Sequence, residues 1–233
     1  MRRAALTGTA TFRVYSWSVP TLSLGRNQRA RDAYDEAIAE ELGVRFVRRP
    51  TGGRALLHHR EVTYSATLPS THPDEARASY DFINGVLLAG LARLGINAGP
   101  PIAPRSLPPS LRPCFDVPAD HEIALDGRKL VGSAQWRHGG ALLQHGSILV
   151  RDDQPMIARI LKTDGPEATT SAASLGDALG WDPSVNQVAE PILESLREAT
   201  GGPVGTFDPD SALEADARAL RATYADDSWT WRR

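Results

Sequence analysis

The chain has 233 residues, of which 41% are hydrophobic and 23% are charged. At roughly 150 residues per domain, this length predicts one domain over residues 1–233, with room for a substantial core. The formal net charge of −2 excludes both a disordered chain and a strongly basic nucleic-acid-binding protein.

The first third of the sequence predicts several short strands around one helix. Alternating apolar residues indicate paired strands over 12–17 and 21–24, separated by a proline break. A helix is expected over 28–42, because Gly43 stands where a helix ends. Further strands are predicted over 44–48, 55–57 and 61–68.

The middle of the chain predicts a long helix followed by a long loop. Thr71 and Asp74 suit the start of the helix, and Gly95 marks its end. Apolar residues recur between them at helical spacing, so one face of this helix is expected in the core. Residues 99–118 hold seven of the seventeen prolines, which predicts a long loop of the kind that is functional or mobile.

The strongest hairpin signal follows this loop. Strands over 122–125 and 128–131 flank the Asp-Gly dipeptide at 126–127, which suits the two positive-φ positions of a tight turn. A second reversal at 137–140 leads into a strand over 141–149. Helices are predicted near 154–161, 183–200 and 211–224, with a short strand over 204–207. Strands first and helices later, paired mainly as hairpins, indicate an α+β fold with a largely antiparallel sheet.

Two glycine-containing segments, 48–58 and 127–135, place small residues beside cations. Glycine lets backbone N–H groups approach a carbonyl or phosphate group of a ligand, and the neighbouring Arg or Lys supplies positive charge. Both segments are therefore candidates for substrate binding. The alternative is structural, since the glycine pair at 52–53 can simply form a turn and the small residues at 132–134 can let a helix pack closely.

The single cysteine, Cys114, excludes an internal disulfide and favours a reducing compartment. It ends the proline-rich loop, an accessible position that suits a catalytic thiol if a nearby cation holds the thiolate. Lys129 is the candidate cation in a chain with only one other lysine. The hairpin pairs Lys129 with Ala124, and ten extended residues from Cys114 would span about 33 Å, so the chain must bend, with Pro118 as the available break. The alternative for Cys114 is a small buried hydrophobic residue.

The six histidines do not form a metal-binding pattern. His58 and His59 are adjacent and would point to opposite sides of a strand, so no metal is expected. His145 is interpreted as a hydrogen-bonded core residue or as part of a substrate pocket. The C-terminal residues 229–233 are expected to form a docked terminus rather than a partner site. No apolar stretch reaches the roughly 18 residues of a membrane span and no signal peptide is recognisable, so a cytoplasmic protein without a membrane partner is expected.

Taken together, these segments resemble the superfamily of biotin and lipoate protein ligases and lipoyl transferases. The closest resemblance is to the cysteine-dependent octanoyltransferases that act on the glycine-cleavage H protein. It extends over almost the whole chain and rests on residues 13–17, 21–25, 48–58, 61–65, 114–118, 127–137, 143–149 and 224–229.

The resemblance implies a mixed sheet flanked by helices and an ATP-independent acyl transfer. Cys114 matches the nucleophile that carries the acyl thioester, and Lys129 matches the lysine that favours the thiolate and carries the proton. The donor would be octanoyl-acyl carrier protein and the acceptor a lysine of a lipoyl-domain protein such as the H protein, in protein lipoylation and lipoate biosynthesis, without a cofactor. The residues expected to bind the substrate are Arg49, Gly52, Gly53, Arg54, His58, Gly132, Ser133, Ala134, His145 and Gly146.

The chain departs from the family pattern at its start. Family members usually carry another strand and helix before residues 13–17, so an N-terminal element is expected to be missing. Three alternatives stay open: an ATP-dependent lipoate–protein ligase using Lys129 and the glycine pair on phosphate and carboxylate, an octanoyl amidotransferase between lipoyl domains, and an inactive acyl-binding module. Cys114 argues against the ligase, which has no use for a nucleophilic thiol at this position.

Overall fold

The structure is a computed structural model that describes residues 1–72, 74–100, 122–162 and 172–232. The helices are α1 (Arg2–Thr7), α2 (Glu36–Glu41), α3 (Glu75–Arg93), α4 (Met156–Ile160), α5 (Leu175–Leu179), α6 (Val185–Thr200), α7 (Ser211–Ala225) and α8 (Asp227–Thr230). The strands are β1 (Thr11–Tyr15), β2 (Thr21–Leu24), β3 (Arg45–Arg48), β4 (Leu56–His58), β5 (Glu61–Pro69), β6 (Ile123–Leu125), β7 (Arg128–His138) and β8 (Ala141–Leu149).

The strands form two sheets. The larger sheet has the order β1-β5-β8-β7-β6 and is antiparallel throughout. The smaller sheet has the order β3-β2-β4, in which β2 runs parallel to β3 and antiparallel to β4. The predicted α+β fold, with a mixed and largely antiparallel set of strands flanked by helices, is confirmed.

The predicted pairing between the first two strands is wrong. β1 pairs with β5 in the larger sheet, whereas β2 lies in the middle of the smaller sheet. All four residues of β2 are buried, as expected for a central strand with neighbours on both edges. Adjacency in the sequence suggested a hairpin here, but the proline break sends the chain from one sheet to the other.

Two further elements differ from the prediction. The expected helix over 28–42 is helical only in α2, because the side chain of Asp35 caps its N-terminus by accepting from two backbone N–H groups. The residue Asp32 just before it has a φ of 64°, which a helix does not allow. Residues 204–207 form no strand, and the side chains of Val204 and Phe207 lie exposed without a neighbouring strand edge to pair with.

The Asp-Gly hairpin is confirmed. Asp126 has a φ of 50° and Gly127 a φ of 76°, so both central residues of the turn are left-handed, as the tight hairpin turn requires. Ala124 lies opposite Lys129, the predicted register. β7 then continues without a break to His138, and Gly139 and Gly140 make the second reversal with positive φ values.

The main core lies between the larger sheet and the helices α3 and α6. Val62, Tyr64 and Ile148 on the sheet pack with Leu87 and Leu91 on α3, and all of these are almost completely buried. α3 and α6 approach each other closely at Gly90, where an added Cβ atom would lie 2.7 Å from the Cγ1 atom of Ile192. The long helix predicted from Thr71 to Gly95 is therefore present, and its apolar face lies in the core.

The C-terminal segment is docked on the smaller sheet, as predicted. The buried guanidinium group of Arg48 donates from Nε to the carbonyl oxygen of Thr230 at 2.8 Å. The indole N–H of Trp229 donates to the carbonyl oxygen of Arg48 at 2.8 Å. The ring of Trp231 contacts that of Phe46, with their centroids 4.9 Å apart. Within the described ranges, no helix is both long and apolar enough to cross a membrane.

The close approach of α3 and α6 leads to a prediction for two glycines of the same helix. Gly90→Ala should lower the free energy of unfolding by about 1–3 kcal/mol, because the new methyl group collides with Ile192. Gly85→Ala is the matched control: nothing lies within 4 Å of its added Cβ atom, so alanine should raise the free energy of unfolding by about 0.5–1 kcal/mol. Urea titration of both variants measures this, and an equal shift for both would contradict the packing described.

Candidate active site

A cavity of about 950 Å³ lies where the two sheets meet. Strands of both sheets contribute to its wall, together with the turn between β3 and β4 and with Tyr224 of α7. Its wall includes Lys129 and all ten residues predicted to bind the substrate, namely Arg49, Gly52, Gly53, Arg54, His58, Gly132, Ser133, Ala134, His145 and Gly146. The two glycine-containing segments, far apart in the sequence, thus face one space.

Two residues of the predicted catalytic arrangement lie outside the described residues. Cys114 and Pro118 both belong to the range 101–121. The pairing of Cys114 with Lys129 therefore stays a prediction, and so does the bend at Pro118.

Lys129 is buried at the beginning of β7, directly after the Asp126-Gly127 turn. Its side chain is 1% exposed, and its Nζ atom lies 2.5 Å from the Oε1 atom of Glu122. Glu122 is itself buried and also lies on the cavity wall. A buried ammonium group needs such a partner, because the loss of hydration of an unpaired charge costs several kcal/mol. The sequence analysis did not identify Glu122, which stands just before β6.

The turn after β3 is held from inside by Arg49. Among the described residues its guanidinium group donates two hydrogen bonds to the carbonyl oxygen of Gly52, one to that of Arg54, and two to the carbonyl and hydroxyl oxygens of Ser23. Gly53 has a φ of 96°, and an added Cβ atom there would lie 2.7 Å from Nη2 of Arg49. Arg49 lies on the cavity wall as expected, but these bonds indicate a role in shaping the turn.

A second glycine fits the turn against the smaller sheet. An added Cβ atom on Gly25 would overlap the carbonyl group of Gly53, so only glycine allows this contact. The turn is thus enclosed between Gly25 on one side and Arg49 on the other.

A buried polar network joins the two sheets at the cavity wall. His58 Nε2 lies 2.8 Å from Ser23 Oγ, and His58 Nδ1 lies 2.7 Å from Glu61 Oε1. Glu61 also accepts hydrogen bonds from the hydroxyl groups of Thr63 and Ser147. The contacts of Glu61 connect β5 and β8 of the larger sheet to β4 of the smaller one, and the contact between His58 and Ser23 extends the network to β2. His58 therefore belongs to a structural bridge as well as to the cavity wall.

An indole ring covers the histidine of this network. Trp17 is stacked on His58 with ring centroids 4.2 Å apart, and its indole N–H donates to Thr63 Oγ1 at 2.9 Å. The sequence analysis missed this role of Trp17. The alternation of residues along β1 and its continuation could have indicated that Trp17 faces the site. Arg13, Tyr15 and Trp17 are spaced by two, and all three face the cavity.

His145 lies on β8 and is neutral at pH 7. Its Nε2 atom is 2.7 Å from the hydroxyl oxygen of Thr51. Its pKa is lowered from 6.5 to about 4, mainly by burial and also by the nearby charge of Arg49 and the neighbouring His58. The sequence left two interpretations of His145 open, a hydrogen-bonded core residue or part of a substrate pocket. Both apply, because His145 is hydrogen-bonded and also lines the cavity.

Gly132 and Gly146 allow β7 and β8 to come close beside the cavity. An added Cβ atom on Gly146 would lie 2.5 Å from the carbonyl oxygen of Gly132 and 2.7 Å from a ring carbon of Tyr64. The Tyr64 hydroxyl group lies 2.6 Å from Ser133 Oγ and accepts from the side-chain amide of Gln144. The small residues predicted to bind substrate or to admit a helix thus pack against strands and a buried tyrosine.

No group of three or more His, Cys, Asp or Glu side chains in the described part of the chain is arranged to hold a metal ion. The described cavity wall instead carries a lysine–carboxylate pair, a glycine turn and several arginines. Such a wall can hold a polar head group of a substrate next to an apolar chain.

The fold and its cavity define a catalytic domain of the lipoate-ligase type. The structure superimposes on the crystal structure of a lipoate-protein ligase A bound with ATP, with a TM-score of 0.83, 23% sequence identity and coverage of 99% of this chain and 89% of that one. The sequence matches the model of the lipoyl protein ligase A/B catalytic domain over residues 2–197. The chain belongs to this family.

Relatives at higher sequence identity refine the class. The chain is 37% identical over 239 residues to octanoyltransferase LipM of Kyrpidia tusciae, covering 96% of this chain and 87% of the relative. It is 36% identical over 240 residues to octanoyltransferase LipM of Carboxydothermus hydrogenoformans, covering 97% and 88%. The predicted resemblance is therefore confirmed, and so is the prediction of an acyltransferase of the octanoyltransferase type that acts in protein lipoylation.

The lowered pKa of His145 predicts a pH dependence of stability. The unfolded chain binds a proton on this histidine below about pH 6.5, whereas the folded chain does so only below about pH 4. The His145 contribution should therefore reduce the free energy of unfolding by up to about 3 kcal/mol as the pH falls from 6.5 to 4, with no effect above pH 6.5. Urea titrations at pH 7 and pH 4.5 should show a smaller pH-dependent loss for His145→Gln than for the wild type. Equal losses would contradict the assignment.

Proposed function

We propose that the chain moves an octanoyl group from acyl carrier protein to a lysine of a lipoyl-domain protein, the H protein of glycine cleavage. The acyl group passes through a thioester on Cys114, and Lys129 carries the proton. One observation supports this most directly: one of only two lysines of the chain has its ammonium group buried on the cavity wall beside Glu122. Such a cation stabilises a neighbouring thiolate.

The first half of the reaction loads the enzyme. The thiolate of Cys114 attacks the carbonyl carbon of the donor thioester, a new C–S bond forms, and the C–S bond to the carrier breaks. The departing carrier thiolate takes a proton from the Lys129 ammonium group. Glu122 keeps Lys129 oriented during this exchange, because its carboxylate lies 2.5 Å from Nζ.

The second half transfers the acyl group to the acceptor. The neutral amine of the acceptor lysine attacks the Cys114 thioester, a C–N bond forms, and the C–S bond breaks. The proton lost by the amine is taken up by the neutral Lys129, while the C–S bond leaves as the Cys114 thiolate, so that the enzyme regains its thiolate and its ammonium group. Because the donor is already a thioester, the reaction needs no ATP.

The glycine turn provides the electrostatic part of catalysis. In both halves the carbonyl oxygen becomes an oxyanion, and backbone N–H groups at the turn of residues 52–54 can stabilise it. Arg49 holds this turn in one shape through its bonds to Gly52 and Arg54, so the N–H groups need no rearrangement during the reaction. The octanoyl chain would lie along the apolar side chains of the wall, such as Trp17, Val47 and Leu56.

The competing proposals differ in the source of the acyl group. A lipoate–protein ligase would activate a free acid with ATP, and an amidotransferase would take octanoyl from another lipoyl domain. The likeness to an ATP-bound ligase, at 23% identity, concerns the fold alone. An inactive acyl-binding module would form no covalent intermediate.

Intact-mass spectrometry after mixing the protein with octanoyl-acyl carrier protein, without ATP, tests the thioester mechanism. The wild type should gain one octanoyl group that hydroxylamine removes, and Cys114→Ala should gain none. Lys129→Ala should form the adduct about 100-fold more slowly, because proton transfer by a positioned side chain contributes roughly 10²–10⁴-fold. Raising the pH should partly restore this rate, an effect that a folding defect would not produce.

Lys162→Ala is the matched control, since it removes the other lysine of the chain, which is exposed. It should form the adduct at the wild-type rate. If Cys114→Ala modifies an H-protein acceptor when ATP and free octanoate are supplied, the ligase proposal replaces this one. If neither condition modifies any protein, the acyl-binding module is favoured.

A further inference from the structure

The cavity wall carries more positive charge than an octanoyl thioester can use. Five cationic side chains of the described residues line it, and Glu122 is the one carboxylate among its described lining residues. The cations are Arg13, Arg48, Arg49, Arg54 and Lys129. This excess stands out in a chain whose net charge is −2. Lys129 lies beside Glu122, and Arg48 and Arg49 donate to backbone carbonyl oxygens, so these three cations have partners within the protein. An acyl chain and its thioester group are uncharged, so the remaining cations, Arg13 and Arg54, indicate a further, anionic part of the ligand.

Arg54 is the cation that most directly indicates such a ligand. Its Nη1 atom is buried, and it has no hydrogen-bond partner among the described residues. A buried guanidinium nitrogen without an acceptor is unfavourable, because the lost hydration is not replaced. Arg54 directly follows Gly53, and its own carbonyl oxygen accepts a hydrogen bond from Arg49 at 2.7 Å. The backbone of Arg54 is therefore held in place while its side chain is left available to a ligand.

Arg13 adds a second cation on the opposite sheet. It lies on β1 and is exposed, and its guanidinium carbon lies 5.0 Å from the centroid of the Tyr15 ring. No ion pair with a carboxylate is found for Arg13 within the described ranges. The buried carboxylate of Glu61 is not among the residues that line the cavity, and its Oε1 atom is bonded to His58, Thr63 and Ser147.

We propose that Arg54, assisted by Arg13, binds the phosphate ester of a phosphopantetheine arm that carries the acyl group. The inference rests on the proposed function, because it concerns the donor of the same reaction. A carrier-bound acyl group is attached through pantetheine to a phosphodiester, which is the anionic group nearest to the thioester in such a donor. Arginine suits it, since the planar guanidinium group can donate two hydrogen bonds to phosphate oxygens. A nucleotide phosphate offers the same chemistry, so the experiment separates the two sources.

The first experiment measures binding and does not depend on catalysis. Isothermal titration of the wild-type protein with 4′-phosphopantetheine and with pantetheine should show about 10-fold to 100-fold tighter binding of the phosphorylated compound, the range expected for hydrogen bonds to a charged group. Arg54→Gln should reduce this ratio to near one, and Arg13→Gln should reduce it in part. Arg77→Gln is the matched control, since Arg77 is an exposed arginine of α3 outside the cavity, and it should keep the wild-type ratio.

The second experiment uses acylated donors. S-octanoyl-4′-phosphopantetheine should load the wild-type protein about 10-fold to 100-fold faster than S-octanoylpantetheine, and this ratio should fall toward one in Arg54→Gln. Using the ratio of two donors on one variant cancels any general loss of folded protein. Arg54→Lys should retain an intermediate ratio, because lysine keeps the charge but not the paired donors.

The outcomes separate this inference from the proposed function. Equal binding of phosphopantetheine and pantetheine by the wild type would overturn the inference, even if octanoyl loading occurs. Preferential binding of phosphopantetheine without loading by any donor would support the anion site and contradict the thioester mechanism. If AMP binds tightly in an Arg54-dependent way while phosphopantetheine does not, the phosphate belongs to a nucleotide, and the inference is wrong. An Arg54→Gln variant that slows both donors equally would also overturn it.

Discussion

The guanidinium group of Arg49 is the interaction on which the wall of the cavity depends. Its five N–H groups reach Ser23 on the smaller sheet and the carbonyl oxygens of Gly52 and Arg54 in the turn. No other side chain could donate in so many fixed directions from one point, and a lysine would provide only a flexible charge. The bonds bring Nη2 so close to Gly53 that this position has no room for a Cβ atom. The arginine and the glycine therefore require each other.

The same turn is coupled to the junction between the two sheets. Ser23, which accepts from Arg49, also lies 2.8 Å from His58, and His58 lies 2.7 Å from Glu61 on the larger sheet. Removing one member would leave others buried without a partner, which costs about 1–3 kcal/mol for each neutral group and more for a charged one. Hydrogen bonds thus fix the position of the turn relative to Lys129 and Gly132 on the opposite wall. Apolar packing alone would allow the two sheets to shift relative to each other.

The parts of the structure that depend on neighbours in the sequence were predictable. The Asp126-Gly127 turn follows from residues that tolerate positive φ, and it determines that Lys129 lies opposite Ala124. From the residue pattern alone the site could be predicted only as two glycine-containing segments with cations, and the ten individual binding residues came from the family resemblance. β7 and the turn before β4 face each other across one cavity because of the way the two sheets pack. The sequence pattern within either segment does not predict this packing.

The errors and omissions have the same origin. Strands β1 and β2 were expected to pair because they are adjacent, yet each finds a partner far along the chain. Glu61 and Glu122 were not identified because a carboxylate at the edge of a strand usually faces solvent. Their roles come from partners brought close by the fold, His58 for one and Lys129 for the other. A buried carboxylate is therefore the feature that sequence patterns are least able to reveal.

The charged residues of the cavity wall fall into two groups, one beside Lys129 and one with Arg54 and Arg13. Glu122 lies 2.5 Å from the Nζ atom of Lys129 and holds this ammonium group in place on the cavity wall. His145 is kept neutral by burial, with a pKa of about 4, and it adds no further positive charge beside Arg49 at neutral pH. Arg54 and Arg13 lie on the cavity wall, and no carboxylate partner is found for either of them within the described ranges. The proposed proton transfer and the proposed recognition of an anion therefore use different cations. Enzymes that share this fold but use different acyl donors can therefore differ in the residues that bind the anion while they keep the residues of proton transfer.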